Sequence, residues 1–177
     1  MQKALKTKDN LFLIGFMGAG KSTVAQCLQQ MFHMEMIEMD QVIAQREGCS
    51  IPEIFQSKGE AYFRDLESSL LREISQSRGQ IVSCGGGAVL REENIKEMKR
   101  SGKVVLLTAT PETILKRVGK DDSRPVLKGK KTVDGISRLM EQRRAKYEAA
   151  ADLIQPTDSL RIPDICMEIA RKTGILD

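Results

Sequence analysis

The chain has 177 residues, 41% hydrophobic and 29% charged, with a net charge of +4. That suits one domain with a core of its own and a modest affinity for small anions. Aromatic residues make up 4% and Trp is absent, which argues against the stacking platforms of single-stranded nucleic-acid binders. The four cysteines have no C-x-x-C spacing and His33 is the single histidine. Neither a zinc site nor a disulfide framework is expected, and reduced thiols in a cytoplasmic protein are.

Lys3, Lys6 and Lys8 precede the apolar run Leu11-Phe12-Leu13-Ile14. The run superficially mimics a secretory leader, but it reads as a first buried strand, near 11–15. No run approaches the ~20 apolar residues of a membrane span. Next comes Gly15-Phe16-Met17-Gly18-Ala19-Gly20-Lys21-Ser22, a G-x-x-x-x-G-K-S loop opening a helix over about 21–32. Such a loop wraps backbone N–H groups around a polyphosphate, with Lys21 on the β- and γ-phosphates and the Ser22 hydroxyl on Mg²⁺. Gly18, Ala19, Gly20, Lys21, Ser22 and Thr23 are therefore expected to hold ATP.

A second strand over 36–39 leads into a helix near Asp40. Residues 51–77 read as helical, with Pro52 in the first turn and Gly59 as an interruption. Residues 81–84 form a third strand that ends in Gly85-Gly86-Gly87. A helix over about 92–101, a fourth strand at 104–107 and a helix from Pro111 to about 118 follow. Residues 119–132 are basic and glycine-containing and read as a mobile lid. A long helix over about 133–150, a short strand at 153–154 and a helix over about 163–173 close the chain. Alternating strands and helices predict a parallel α/β sheet in a single domain over 1–177.

Three groups beyond the loop point to chemistry. Glu38 and Asp40 stand at the end of the second strand, where i and i+2 share a face if the strand continues that far; Asp40 also suits a helix N-cap. Both are candidate metal residues with Ser22, because Ser83 occupies the end of the third strand, where many phosphate-loop enzymes keep an acid. The triple glycine predicts backbone N–H groups approaching a ligand. Arg64 lies between Glu60 and Glu67 at helical spacing and suits either ion pairing or anion binding.

Together these segments resemble the shikimate kinase family over nearly the whole chain. The resemblance rests on the phosphate loop, on Glu38-Met39-Asp40 against a usual D-x-D, and on Gly59-Glu60-Ala61-Tyr62-Phe63-Arg64-Asp65-Leu66-Glu67. It extends to Gly85-Gly86-Gly87, Arg124-Pro125-Val126-Leu127, Arg143 to Tyr147 and Arg161-Ile162-Pro163. It implies a three-layer phosphate-loop kinase fold with a five-stranded parallel sheet, helices on both faces and a mobile lid over about 119–132. It also implies transfer of the ATP γ-phosphoryl group to the 3-hydroxyl of shikimate with Mg²⁺. Asp40 would be the base, and Lys21 and Arg124 would neutralise the phosphates. Arg64 and Arg143 would clamp the acceptor's carboxylate, Gly85, Gly86 and Gly87 would give backbone contacts, and Phe55 and Phe63 would wall the pocket, the helical segment 40–78 carrying much of it. Arg117, Arg161 and Pro163 would flank adenine. ATP and shikimate are the expected partners, with no nucleic acid and no membrane, for a monomer. Ala145 and Lys146 depart from the family's usual Pro and Leu, which predicts an altered start for the helix bearing Arg143.

Overall fold

The computed structural model describes residues 9–119 and 129–175. Five strands, β1 (Asn10–Ile14), β2 (Glu35–Glu38), β3 (Gln80–Ser83), β4 (Gly102–Thr108) and β5 (Leu153–Pro156), form one sheet in the order β2-β3-β1-β4-β5. Every pairing is parallel. The helices are α1 (Lys21–Phe32), α2 (Met39–Glu47), α3 (Ile51–Ile74), α4 (Glu92–Ser101), α5 (Pro111–Val118), α6 (Val133–Ala150) and α7 (Ile162–Lys172), with a 3-10 turn at Ala88–Leu90.

Strand side chains alternate between two apolar layers, as the period of two requires. Leu11 and Leu13 of β1, with Val105 and Leu107 of β4, pack under α1, α5 and α7. Phe12 and Ile14, with Val104 and Leu106, pack under α2, α3 and α4. The long helix α6 serves both layers: Ile136 and Leu139 near its start join the first, Tyr147 and Ala150 near its end the second. It therefore passes the C-terminal ends of the strands, where α/β sheets hold their ligands.

One local prediction needs correction. β2 stops at Glu38, Met39 is already helical and fully buried, and Glu38 rather than Asp40 is the N-cap residue of α2. The shared strand face does not exist, and the two acids meet instead around a helix start. The helix bearing Arg143 runs unbroken from Val133 to Ala150, the span that the sequence predicts. Ala145 keeps its backbone N–H where a proline would lose one, and Lys146 donates to the Leu90 carbonyl at 2.8 Å. Pro52 lies in the first turn of α3, behind a Ser50–Glu53 capping box, and Gly59 breaks the helix at φ 85° and ψ 169°, as the sequence predicts.

Candidate active site

The phosphate loop begins where β1 ends. Gly15, Gly18 and Gly20 adopt φ of 149°, 80° and 103°, values that side chains disfavour. A Cβ on Gly15 would also collide with the Leu107 carbonyl. Gly20 precedes α1 with no side-chain cap, and no acid lies in the helix's first turn. This end of α1, with the residues Lys21, Ser22 and Thr23, is electrostatically suited to an anion. Lys21 Nζ donates to the carbonyls of Gly15 (2.8 Å) and Phe16 (3.1 Å), which holds its charge across the loop. Gly18, Gly20, Lys21, Ser22 and Thr23 line a cleft of about 290 Å³ with Glu38, Asp40, Gly86 and Arg117.

A second cleft, about 330 Å³, opens beside the first. Asp40, Phe55, Phe63, Arg64, Gly85, Gly86, Gly87 and Arg143 all line it, so all eight predicted acceptor residues come together. Asp40 and Gly86 line both clefts. Phe55 and Phe63 touch in a tilted arrangement with ring centroids 5.0 Å apart and planes inclined by 44°, and the Arg64 guanidinium sits 5.3 Å from the centroid of the Phe63 ring. Arg64 also donates to Glu60 (2.9 Å) and to Glu67 (2.6 Å). The ion-pairing and anion-binding readings of Arg64 are thus compatible: two acids fix its fork at the cleft wall.

The fold adds a second constraint on the glycine triplet. A Cβ on Gly85 would collide with Glu67 Oε1 and come within 3.0 Å of Asp40 Oδ1, and one on Gly87 would collide with the Arg64 guanidinium. The glycines make room for the site's own charged side chains. Gly86 contributes its carbonyl, which accepts from the Tyr147 hydroxyl and from Arg143 Nη1 at 3.3 Å.

Two residues that the sequence did not single out join the site: Glu67 lines the second cleft, and Tyr147 reaches it through the Gly86 carbonyl. Glu67 is fully buried, and its Oε1 has no hydrogen-bond partner among the described residues. Burial pushes its carboxyl above the ordinary carboxylate range, and Asp40 pushes the same way against the pull of Arg64. The signal for it was in the F-R-x-x-E spacing. Glu38 accepts from the Ser22 hydroxyl at 2.6 Å, and burial raises its carboxyl too, with the Ser22 hydrogen bond opposing. Ser22, Glu38 and Asp40 share the phosphate cleft. Their hydroxyl and carboxylate oxygens are the hard donors that Mg²⁺ selects.

Arg117 reaches back to the loop, donating to the Gly18 carbonyl (2.9 Å) and to Thr157. The buried Thr157 hydroxyl lies 2.8 Å from the Ala19 carbonyl and 3.0 Å from that of Thr108, a tie between the phosphate loop and the end of β5. Arg161 and Pro163 stand at the start of α7, where the exposed Arg161 pairs with Asp164 at 2.8 Å. They line neither cleft. Arg124, and with it most of the expected lid, lies outside the described residues.

A phosphate loop at the end of β1, adjoining a cavity with an aspartate and two arginines, defines a phosphate-loop kinase of small metabolites. The family model described as shikimate kinase matches residues 17–173. The chain belongs to the shikimate kinase family. A shikimate kinase of Dehalococcoides mccartyi (strain BAV1) is 39% identical over 165 residues, 93% of either chain. One of Persephonella marina is 40% identical over 160 residues, 90% of this chain and 96% of that one. Among solved structures, the shikimate kinase of Acinetobacter baumannii in complex with shikimate has a TM-score of 0.88 at 31% identity, covering 93% of this chain and 92% of that one. A gluconokinase of Sinorhizobium meliloti has a TM-score of 0.59 at 14% identity, over 94% of this chain and 91% of that one, a likeness of fold alone.

Proposed function

We propose that this kinase transfers the γ-phosphoryl group of ATP to the 3-hydroxyl of shikimate. The observation that carries the reading is the wall of Asp40 and Gly86 common to the two clefts. A group held there faces an acceptor on one side and a polyphosphate on the other. The Acinetobacter relative was solved with shikimate, and a carboxylated polyol suits a cavity with Arg64 and Arg143 on its walls.

Phosphoryl transfer depends on positioning and charge neutralisation. Arg64, held by Glu60 and Glu67, and Arg143, held against Gly86, would orient the acceptor's carboxylate, with Phe55 and Phe63 against its ring. Asp40 would accept the proton of the attacking hydroxyl. Lys21 and the loop's N–H groups would hold the β- and γ-phosphates. Ser22, Glu38 and Asp40 would hold Mg²⁺, which supplies charge neutralisation when bound. Arg117, Arg161 and Pro163 would flank adenine, and Arg124 would neutralise phosphate charge from the lid. A cytoplasmic monomer completes the reading. No helix among the described residues is long and apolar enough to cross a membrane.

The test is ADP release with and without shikimate, repeated with gluconate and with the Asp40→Asn variant. Shikimate-dependent release is expected. A general base contributes about 10²–10⁴ in rate, so Asp40→Asn should fall by that order while still binding ATP. Equal turnover with gluconate, or near-normal turnover of the variant, would overturn the acceptor and the base respectively.

A further inference from the structure

The two arginines of the acceptor cleft are held in different ways. Arg64 is gripped by two carboxylates, Glu60 at 2.9 Å and Glu67 at 2.6 Å. Arg143 is as deeply buried, 7% exposed against 8%, yet among the described residues it makes no ion pair. Its guanidinium rests on a carbonyl and a ring. Nη1 donates to Gly86 at 3.3 Å, and the group sits 5.9 Å from the centroid of the Phe16 ring. That bond is long, since N–H···O contacts are commonest near about 2.9–3.0 Å, so it is a weak anchor on its own.

The same carbonyl has a second donor. Tyr147 lies one helical turn after Arg143 on α6 and is 5% exposed. Its hydroxyl donates to the Gly86 oxygen. The carbonyls of Gly85 and Gly87 accept from the backbone N–H groups of Ala88 and Leu90 at 3.0 Å each, inside the turn, whereas that of Gly86 is turned toward α6. On its other side Gly86 abuts the phosphate loop: a Cβ there would stand 3.5 Å from the Met17 nitrogen and 3.8 Å from the Gly15 oxygen.

We infer that Tyr147 is the positioning residue of Arg143: through the Gly86 carbonyl it aims the guanidinium at the acceptor's carboxylate. This role presupposes the proposed acceptor, whose carboxylate supplies the counter-charge that Arg143 lacks. A buried cation without an acid partner is costly, and an arriving carboxylate relieves that cost. Orientation is then what the protein must supply, because a planar fork binds a carboxylate through two parallel hydrogen bonds. Glu67 supplies it for Arg64 with a charge. Tyr147 supplies it for Arg143 with a neutral dipole, which leaves the positive charge unneutralised for the ligand. Burial pushes the Tyr147 hydroxyl above its ordinary range, so it stays a donor at neutral pH.

The test is Tyr147→Phe, which keeps the ring in the core and removes only the hydroxyl. Lys146 still ties α6 to the turn through the Leu90 carbonyl. One neutral hydrogen bond is worth about two- to tenfold in affinity. The shikimate KM, and the shikimate Kd by calorimetry, should rise by that factor, with kcat and the ATP KM at their wild-type values. Tyr62→Phe, which loses a hydroxyl bound to Glu47 outside both clefts, should leave the shikimate KM unchanged. In an Arg143→Met background, Tyr147→Phe should add nothing to the loss of shikimate affinity, since residues acting through one another are not additive. Wild-type ADP release that does not depend on shikimate would remove the acceptor, and the role of Tyr147 with it. With that dependence intact, an unchanged shikimate KM in Tyr147→Phe, an equal rise in the ATP KM, or a full additional loss on top of Arg143→Met would overturn the assignment of Tyr147 alone.

Discussion

Arg64 donates to Glu67 at 2.6 Å, and Glu67 has no exposure to water. A buried pair of this kind is costly to break, because the remaining partner is left charged and unsolvated. Here the pair also fixes the guanidinium that faces the acceptor cleft. Arg64→Lys keeps the charge but loses the planar fork that reaches Glu60 and Glu67 together and that would also hold the acceptor's carboxylate in the proposed function. One lost charge-assisted hydrogen bond, about 1.5–3 kcal/mol, corresponds to roughly one to two decades of affinity. The shikimate KM of Arg64→Lys should rise accordingly, and an unchanged KM in steady-state assays would remove the clamp.

Glu67 also sets a pH dependence. Its carboxyl titrates above the usual 4.5 in the folded chain, chiefly through burial. A folded value above the unfolded one means that the folded chain holds this proton to higher pH. The group's contribution to stability is therefore full below about 4.5 and declines as pH rises through the folded value. Glu67→Gln cannot ionise, so its urea midpoint should fall less than that of wild type between about pH 4.5 and pH 7. Parallel curves would show that Glu67 titrates normally.

Gly85 is the point at which Asp40 and Glu67 approach one chain segment. Its backbone is not in the left-handed region, so Gly85→Ala tests crowding alone. Overpacking typically costs about 1–3 kcal/mol. A lowered melting temperature is expected together with weaker shikimate binding by calorimetry, while ATP binding changes little.

Thr157 ties Arg117 and the Ala19 carbonyl to the end of β5. Thr157→Val preserves shape and removes the hydroxyl, a loss of about 0.5–1.5 kcal/mol for a neutral hydrogen bond. The ATP KM should rise about two- to tenfold with the shikimate KM unchanged. An equal rise in both would mean that Thr157 supports the fold generally.

The parts legible in the sequence were those whose cause is local. The phosphate loop was readable because its positive-φ positions demand glycine, and α3 was readable because Ser50, Pro52 and Gly59 each act within a turn of chain. The acceptor residues were named through resemblance, and the structure brings them into one cleft. Thr157 and Tyr147 were not readable in advance. Their partners Ala19 and Gly86 lie 138 and 61 residues away, so only the packed sheet and α6 bring them together. The crowding of the glycine triplet was not readable, since it comes from Glu67, Asp40 and Arg64, which only the fold brings against it. The N-cap of α2 was misplaced by two residues because Asp40 is a favoured cap residue and Glu38 is not, yet the helix already begins at Met39.

The wall of Asp40 and Gly86 has a consequence for inhibitor design. Because one partition separates the two clefts, a single molecule joining a carboxylated ring to a polyphosphate needs only a short linker. Once one half has bound, the other faces its cleft at the millimolar effective concentrations typical of short tethers. Such a compound would distinguish this enzyme from the many ATP-binding proteins that share its loop but lack the adjoining arginines.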